Sequence, residues 1–199
     1  SSSKEDLVEK FYRPALTDAV LYQRKAGYFS SSAFAEISKE IIDLIKKGGR
    51  MQLITSPNLS TFDKSALEKS VTDSVEDREK MFSDLFFEDL VNDPSGTKQH
   101  FAKLMAYMLT NQIDGKPQLE IKIALTNDGQ GIFHEKSGII HHSDGGMISF
   151  TGSINETMSG WSKNTENFVA FFSWIDNKEK EQAREVEQEF NDIWNQNSS

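Results

Sequence analysis

The sequence has no cysteine, which excludes disulfides, thiol nucleophiles and cysteine-based zinc sites, and suits a reducing cytoplasm. It also lacks any apolar run approaching the roughly 18 residues of a membrane-crossing helix, so no membrane partner is expected. The opening Ser1-Ser2-Ser3-Lys4-Glu5-Asp6 has no apolar signal-peptide core. Its serines read as a cloning scar or a cut from a longer chain, so a cytoplasmic fragment of a larger protein is expected. Basic charge is scarce as well. A net charge of −9 argues against a generally basic nucleic-acid coat, and any such partner would have to be met by a local cleft. No compact carboxylate cluster joins the histidines, which speaks against a metal nuclease; neither metal nor cofactor is expected.

The 199 residues fit one domain, taken as 1–199, long enough to bury a core. Phe11 to Arg24 reads as a helix with Pro14 in its first turn, followed by a short strand at Lys25–Phe29. The cluster Ser30-Ser31-Ser32 is placed to cap a second helix whose apolar face is Phe34, Ile37, Ile41, Leu44 and Ile45. Lys46-Lys47-Gly48-Gly49 closes that helix, and Met51–Thr55 reads as a strand. Residues 63–110 are charged and helical in pattern. After the turn at Asp114–Pro117, Leu119, Ile121, Ile123 and Leu125 alternate as in a half-covered strand. Gly131–His141, Met147–Thr151 and Asn167–Trp174 are further strands, the first two joined by a hairpin turn at Ser143–Gly146. Glu179–Trp194 closes the chain as a helix, with Val186, Phe190, Ile193 and Trp194 on its apolar side. The expected fold class is α/β: a mixed sheet flanked by helices, with a helical insertion at about 61–117.

Chemistry concentrates in three stretches: Phe133-His134-Glu135-Lys136, Thr151-Gly152-Ser153-Ile154-Asn155, and Asn164-Thr165-Glu166-Asn167. On a strand His134 and Lys136 project to one face. An imidazole nucleophile beside a fixed ammonium suits attack on a phosphodiester, with Lys136 balancing charge on the nonbridging oxygens. The hairpin brings Gly152 to Asn155 back alongside, where Ser153 and Asn155 can donate hydrogen bonds to the same phosphate. Glu166 is placed to hold the second imidazole nitrogen and so fix the tautomer.

These motifs resemble the phospholipase D superfamily, whose signature is His-x-Lys followed by Gly-Ser-x-Asn. More narrowly, they are similar to phospholipase D-like nuclease domains of bacterial restriction endonucleases and DEAD/DEAH-box helicases. The resemblance rests on His134-Glu135-Lys136-x-Gly138-Ile139, Gly152-Ser153-x-Asn155-Glu156-Thr157, Asn164-x-Glu166-Asn167, Ser173-Trp174 and the upstream Gly27-Tyr28-Phe29-Ser30-Ser31. It covers roughly residues 11–60 and 118–194. It implies a phospholipase D-like fold and metal-independent diester cleavage, part of a DNA-processing or phage-defence protein. His134 would form a phosphohistidine, Lys136, Ser153 and Asn155 would bind phosphate, and Glu166 would orient the histidine. One position departs from the pattern: the Asp five residues after the lysine is replaced by His141.

That chemistry uses two histidines, and the chain has one His-x-Lys. His142 lies about 26 Å from His134 along an extended strand, so a homodimer sharing one active site is expected. DNA is the expected substrate, with a helicase or other DNA-processing region in the full-length protein. Rival readings are a non-catalytic nucleic-acid-binding or dimerisation module and a lipid phosphodiesterase. Arg24, Lys25, Trp161 and Lys163 are lesser candidates for substrate contact. Lys46, Lys47 and Arg50 read as helix-end charges. Phe133, Phe168, Phe171 and Phe172 read as core rather than as a base-stacking platform, and His141 and His142 as strand residues facing opposite ways.

Overall fold

The computed structural model describes residues 7–26, 37–55, 108–109, 111–123, 136–152 and 168–196. A π-helical turn at Val8–Tyr12 runs into helix α1 (Arg13–Leu16) and then strand β1 (Ala19–Ala26). Helix α2 (Ser38–Lys46) and strand β2 (Arg50–Thr55) follow. A small ladder of β3 (Gln112–Ile113) and β4 (Lys116–Pro117) precedes β5 (Leu119–Ile123). Strands β6 (Lys136–His142), β7 (Met147–Gly152) and β8 (Phe168–Phe172) form a meander, and helix α3 (Asn177–Gln196) comes last. Six strands join in the order β5-β2-β1-β6-β7-β8. β1, β2 and β5 pair parallel, whereas β1–β6, β6–β7 and β7–β8 pair antiparallel. The α/β class with a mixed sheet flanked by helices is therefore observed.

Each face of the sheet has its own core. Tyr22, Met51, Leu53, Leu119, Ile140, Ile148 and Phe150 pack with Tyr12, Leu16, Ile41 and Leu44 of the N-terminal helices. On the other face Ile54, Ile139 and Met147 pack with Ala183, Val186, Phe190 and Trp194 of α3. The 3.6-residue spacing in α2 and α3 is what turns these side chains to one side.

Local chemistry explains the punctuation. Gly48 has φ +75°, and the amides of Gly48 and Gly49 donate to the carbonyls of Ile45 and Leu44 at 3.0 and 2.9 Å. That is a Schellman ending, satisfying carbonyls the helix leaves unbonded. At the β6–β7 turn, Gly145 takes φ +86° and the amide of Gly146 donates to Asp144 Oδ1 at 2.8 Å. The start of α3 is capped by Asp176, whose Oδ1 accepts from the Glu179 amide at 2.8 Å.

The first expected helix needs correction. It stops at Leu16, and residues from Ala19 to Ala26 are strand β1, not the end of a helix reaching Arg24. β1 is hydrogen-bonded on both sides, to β2 and β6, and covered on both faces, so no alternation survives to mark it. Its consecutive buried polar residues Gln23, Arg24 and Lys25 look in sequence like a solvated helix turn. The insertion also differs at its closing edge. Residues 112–117 pair as a hairpin, because Asp114 and Gly115 take φ 54° and 77°, the geometry of a tight Asp-Gly turn. The rest of the expected insertion up to 107, the serines at 30–32 and Phe34 lie outside the described residues.

Candidate phosphate-binding site

Lys136 opens β6 directly opposite Gly152 of β7, and Gly152 is opposite Phe168 of β8. The hairpin thus brings the Gly152 end of the second motif beside the lysine of the first, as expected. Lys136 is only 6% exposed. A buried ammonium is costly unless it meets hydrogen-bonding or anionic partners, and a glycine opposite leaves no side chain competing for that space. His134, Ser153, Asn155 and Glu166 lie outside the described residues, as do Phe133, Trp161, Lys163 and the Gly27–Ser31 stretch.

Register carries the site across the sheet. Arg24 of β1 pairs with Gly138, and Gly138 pairs with Phe150; cross-strand partners share a face. Lys136 is two residues from Gly138, so Arg24 and Lys136 project to the same side. Both line one small pocket with Tyr12, Phe150, Gly152 and Phe168. The guanidinium carbon of Arg24 lies 5.2 Å from the centre of the Phe150 ring, a cation–π arrangement. Gly138 makes this possible, because a Cβ there would fall 2.2 Å from Phe150 Cζ. Phe11 packs edge-on against Phe150 and Phe168, with ring centres 5.2 and 4.7 Å apart.

Among the lesser candidates, Arg24 and Lys25 separate. Lys25 pairs with Ser137 and so faces α3, away from the pocket. Lys46 is exposed. Lys47 donates to the Thr17 carbonyl at 2.6 Å, and Arg50 pairs with Leu21 toward the far end of the sheet. Phe168 and Phe172 pack on one core and Phe171 on the other, although Phe168 also lines the pocket. The adjacent histidines do point apart. His142 Nε2 is 2.7 Å from the Ala15 carbonyl, whereas His141 Nε2 is 3.1 Å from Gln23 Oε1 and 3.5 Å from Glu187 Oε1. Burial lowers the pKa of His141 below its ordinary 6.5; Glu187 acts the other way, and His142 adds to the lowering. Tyr12, with no exposed surface, and Phe150 were not legible as site residues. The one available signal was Gly138, whose missing side chain implies a large neighbour across the strand.

A mixed sheet with buried cations gathered beside a glycine at a hairpin's open end suits a protein that handles phosphoryl groups. The family model described as "Cardiolipin synthase, PLD-like domain" matches residues 25–194. The chain belongs to this family and hence to the phospholipase D superfamily, with a phosphodiesterase-type function. No curated protein matches the chain.

Proposed function

We propose that this chain is a metal-independent phosphodiesterase that cleaves DNA. The observation supporting this most directly is Lys136, buried opposite Gly152 among the residues that line the pocket, two residues after His134 in sequence. His134 attacks phosphorus, forming an N–P bond as the P–O bond to the leaving oxygen breaks. Lys136, Ser153 and Asn155 hold the nonbridging oxygens, and Glu166 orients the imidazole. The leaving oxygen takes its proton from His134 of a second copy in a homodimer sharing one active site. Water then hydrolyses the phosphohistidine and restores the nucleophile. A neighbouring helicase or DNA-processing region in a longer protein supplies the DNA affinity that a chain of net charge −9 lacks.

The family's cardiolipin synthase members favour a second reading, transfer or hydrolysis of a lipid phosphodiester. Among the described residues no helix is long and apolar enough to cross a membrane. Cleavage of bis(p-nitrophenyl) phosphate, single-stranded DNA and phosphatidylglycerol vesicles in excess EDTA, with wild type and His134→Ala, separates the readings. Loss in the mutant with DNA cleaved by wild type supports the proposal. Turnover of the lipid alone supports the second reading. Activity abolished by EDTA, or intact in the mutant, overturns the histidine mechanism, and turnover of nothing leaves a non-catalytic module.

A further inference from the structure

We propose that Glu179 guards the β8 edge of the sheet and keeps it from pairing with the same edge of a second copy of the chain. The two edge strands differ in how they discourage such pairing. β5 carries Glu120 and Lys122, charged side chains of the kind that protect an exposed edge. β8 is Phe168-Val169-Ala170-Phe171-Phe172, without charge, proline or glycine, and Val169 is 50% exposed. Among the described residues no strand lies beyond it. An uncharged apolar edge is a template for its own copy, because no side chain on it repels its twin across a two-fold axis.

Hydrogen-bond direction shows which backbone groups face outward. The Ser173 amide donates to the Met147 carbonyl at 2.9 Å, and bonded pairs alternate along an antiparallel ladder. Val169 and Phe171 therefore turn their backbone groups toward β7, whereas Phe168, Ala170 and Phe172 turn theirs to the outer side. At Phe172 both groups are taken. Its amide donates to Glu179 Oε2 at 3.0 Å, and its carbonyl accepts from the Ile175 amide at 3.2 Å. Glu179 stands in the first turn of α3, where its own amide donates to Asp176 Oδ1. A glutamate at that position commonly returns its carboxylate to the capping residue's amide; here it reaches across to the strand instead. A two-fold pairing that uses all of β8 centres on Ala170 and sets Phe168 of one copy opposite Phe172 of the other. Its outer hydrogen bonds need the Phe172 amide, the group that Glu179 holds. This contact is distinct from the homodimer proposed above, because β7 and β8 lie between Lys136 and this edge.

The test uses the full chain and compares masses by light scattering at equal concentration. Glu179→Ala should double the weight-average mass relative to wild type. Glu179→Gln, which keeps an oxygen acceptor at the same reach, should match wild type. Adding Val169→Lys to Glu179→Ala places a charge on the freed edge and should restore the wild-type mass. In wild type, the Phe172 amide should exchange with deuterium about tenfold or more slowly than the Ala170 amide, which faces the same side; this readout holds even where the variants fail to fold. A folded Glu179→Ala protein of wild-type mass would overturn the proposal. Equal association of Glu179→Ala and Glu179→Gln would also overturn it, by tracing the effect to lost charge. Association that survives Val169→Lys would place the contact elsewhere and exclude β8. A Phe172 amide that exchanges as fast as that of Ala170 would remove the guard itself.

Discussion

The two faces of the sheet differ in which buried polar side chains they carry and where. Beneath α3, polar side chains satisfy one another across four strands. Gln52 Nε2 donates to Glu120 Oε1 at 3.1 Å, Gln23 Nε2 donates to Gln52 Oε1 at 2.9 Å, and His141 and then Glu187 continue the line. Beneath the N-terminal helices, the buried cations Arg24 and Lys136 lie together at one end, beside Tyr12, Phe150, Gly152 and Phe168. A ladder of mutually bonded side chains is finished structure. The two cations sit at the carboxyl end of parallel β1, where α/β sheets commonly receive ligands.

The comparison can be broken from either side. Lys136→Met should have the largest effect, lowering kcat on bis(p-nitrophenyl) phosphate by about a hundredfold or more in a folded protein, the usual effect of losing one charge-stabilising group. Comparable turnover by the mutant would remove Lys136 from the chemistry. Gly138→Ala forces a methyl into the Phe150 ring and should cost about 1–3 kcal/mol of stability, read as a lower Tm. An unchanged Tm would show that the ring has room to move. Gln52→Leu should destabilise by about 1 kcal/mol, the value of a typical hydrogen bond, and leave kcat unchanged because it lies on the other face. A fall in kcat there would mean that the faces are coupled.

The smallest effect is one of pH. Because burial lowers the folded-state pKa of His141 below 6.5, the native protein binds fewer protons there than the unfolded chain. The stability this gives is complete above pH 6.5 and is lost as pH falls toward the folded pKa. His141→Gln should flatten the decline in Tm between about pH 7 and 5.5, and Glu187→Gln should steepen it by removing the carboxylate that favours the protonated ring. Identical profiles for wild type and both variants would exclude His141 as the titrating group.

What was legible in the sequence was local. Ile37, Ile41, Leu44 and Ile45 announced α2 because a one-sided helix repeats within a few residues, and Gly48-Gly49 marked its end. The hairpin at Ser143–Gly146 and the closing helix were read for the same reason. β1 was misread because its character comes from neighbours on all sides. The site divides in the same way. Lys136 and Gly152 stand in compact motifs joined by one hairpin, whereas the meeting of Arg24 and Lys136 depends on pairing between strands far apart in sequence.

That separation bears on how the molecule assembles. The meander of β6 and β7 pairs residues as close as His141 and Met147, and such contacts form early because little chain entropy is lost in closing them. β1 joins β6 across spans such as the 118 positions between Gln23 and His141, so its docking is expected late. The pocket would then exist only once the two halves of the chain have met. Any ligand that binds only the completed sheet would stabilise that final union by mass action, and its affinity would serve as a reporter of completed folding.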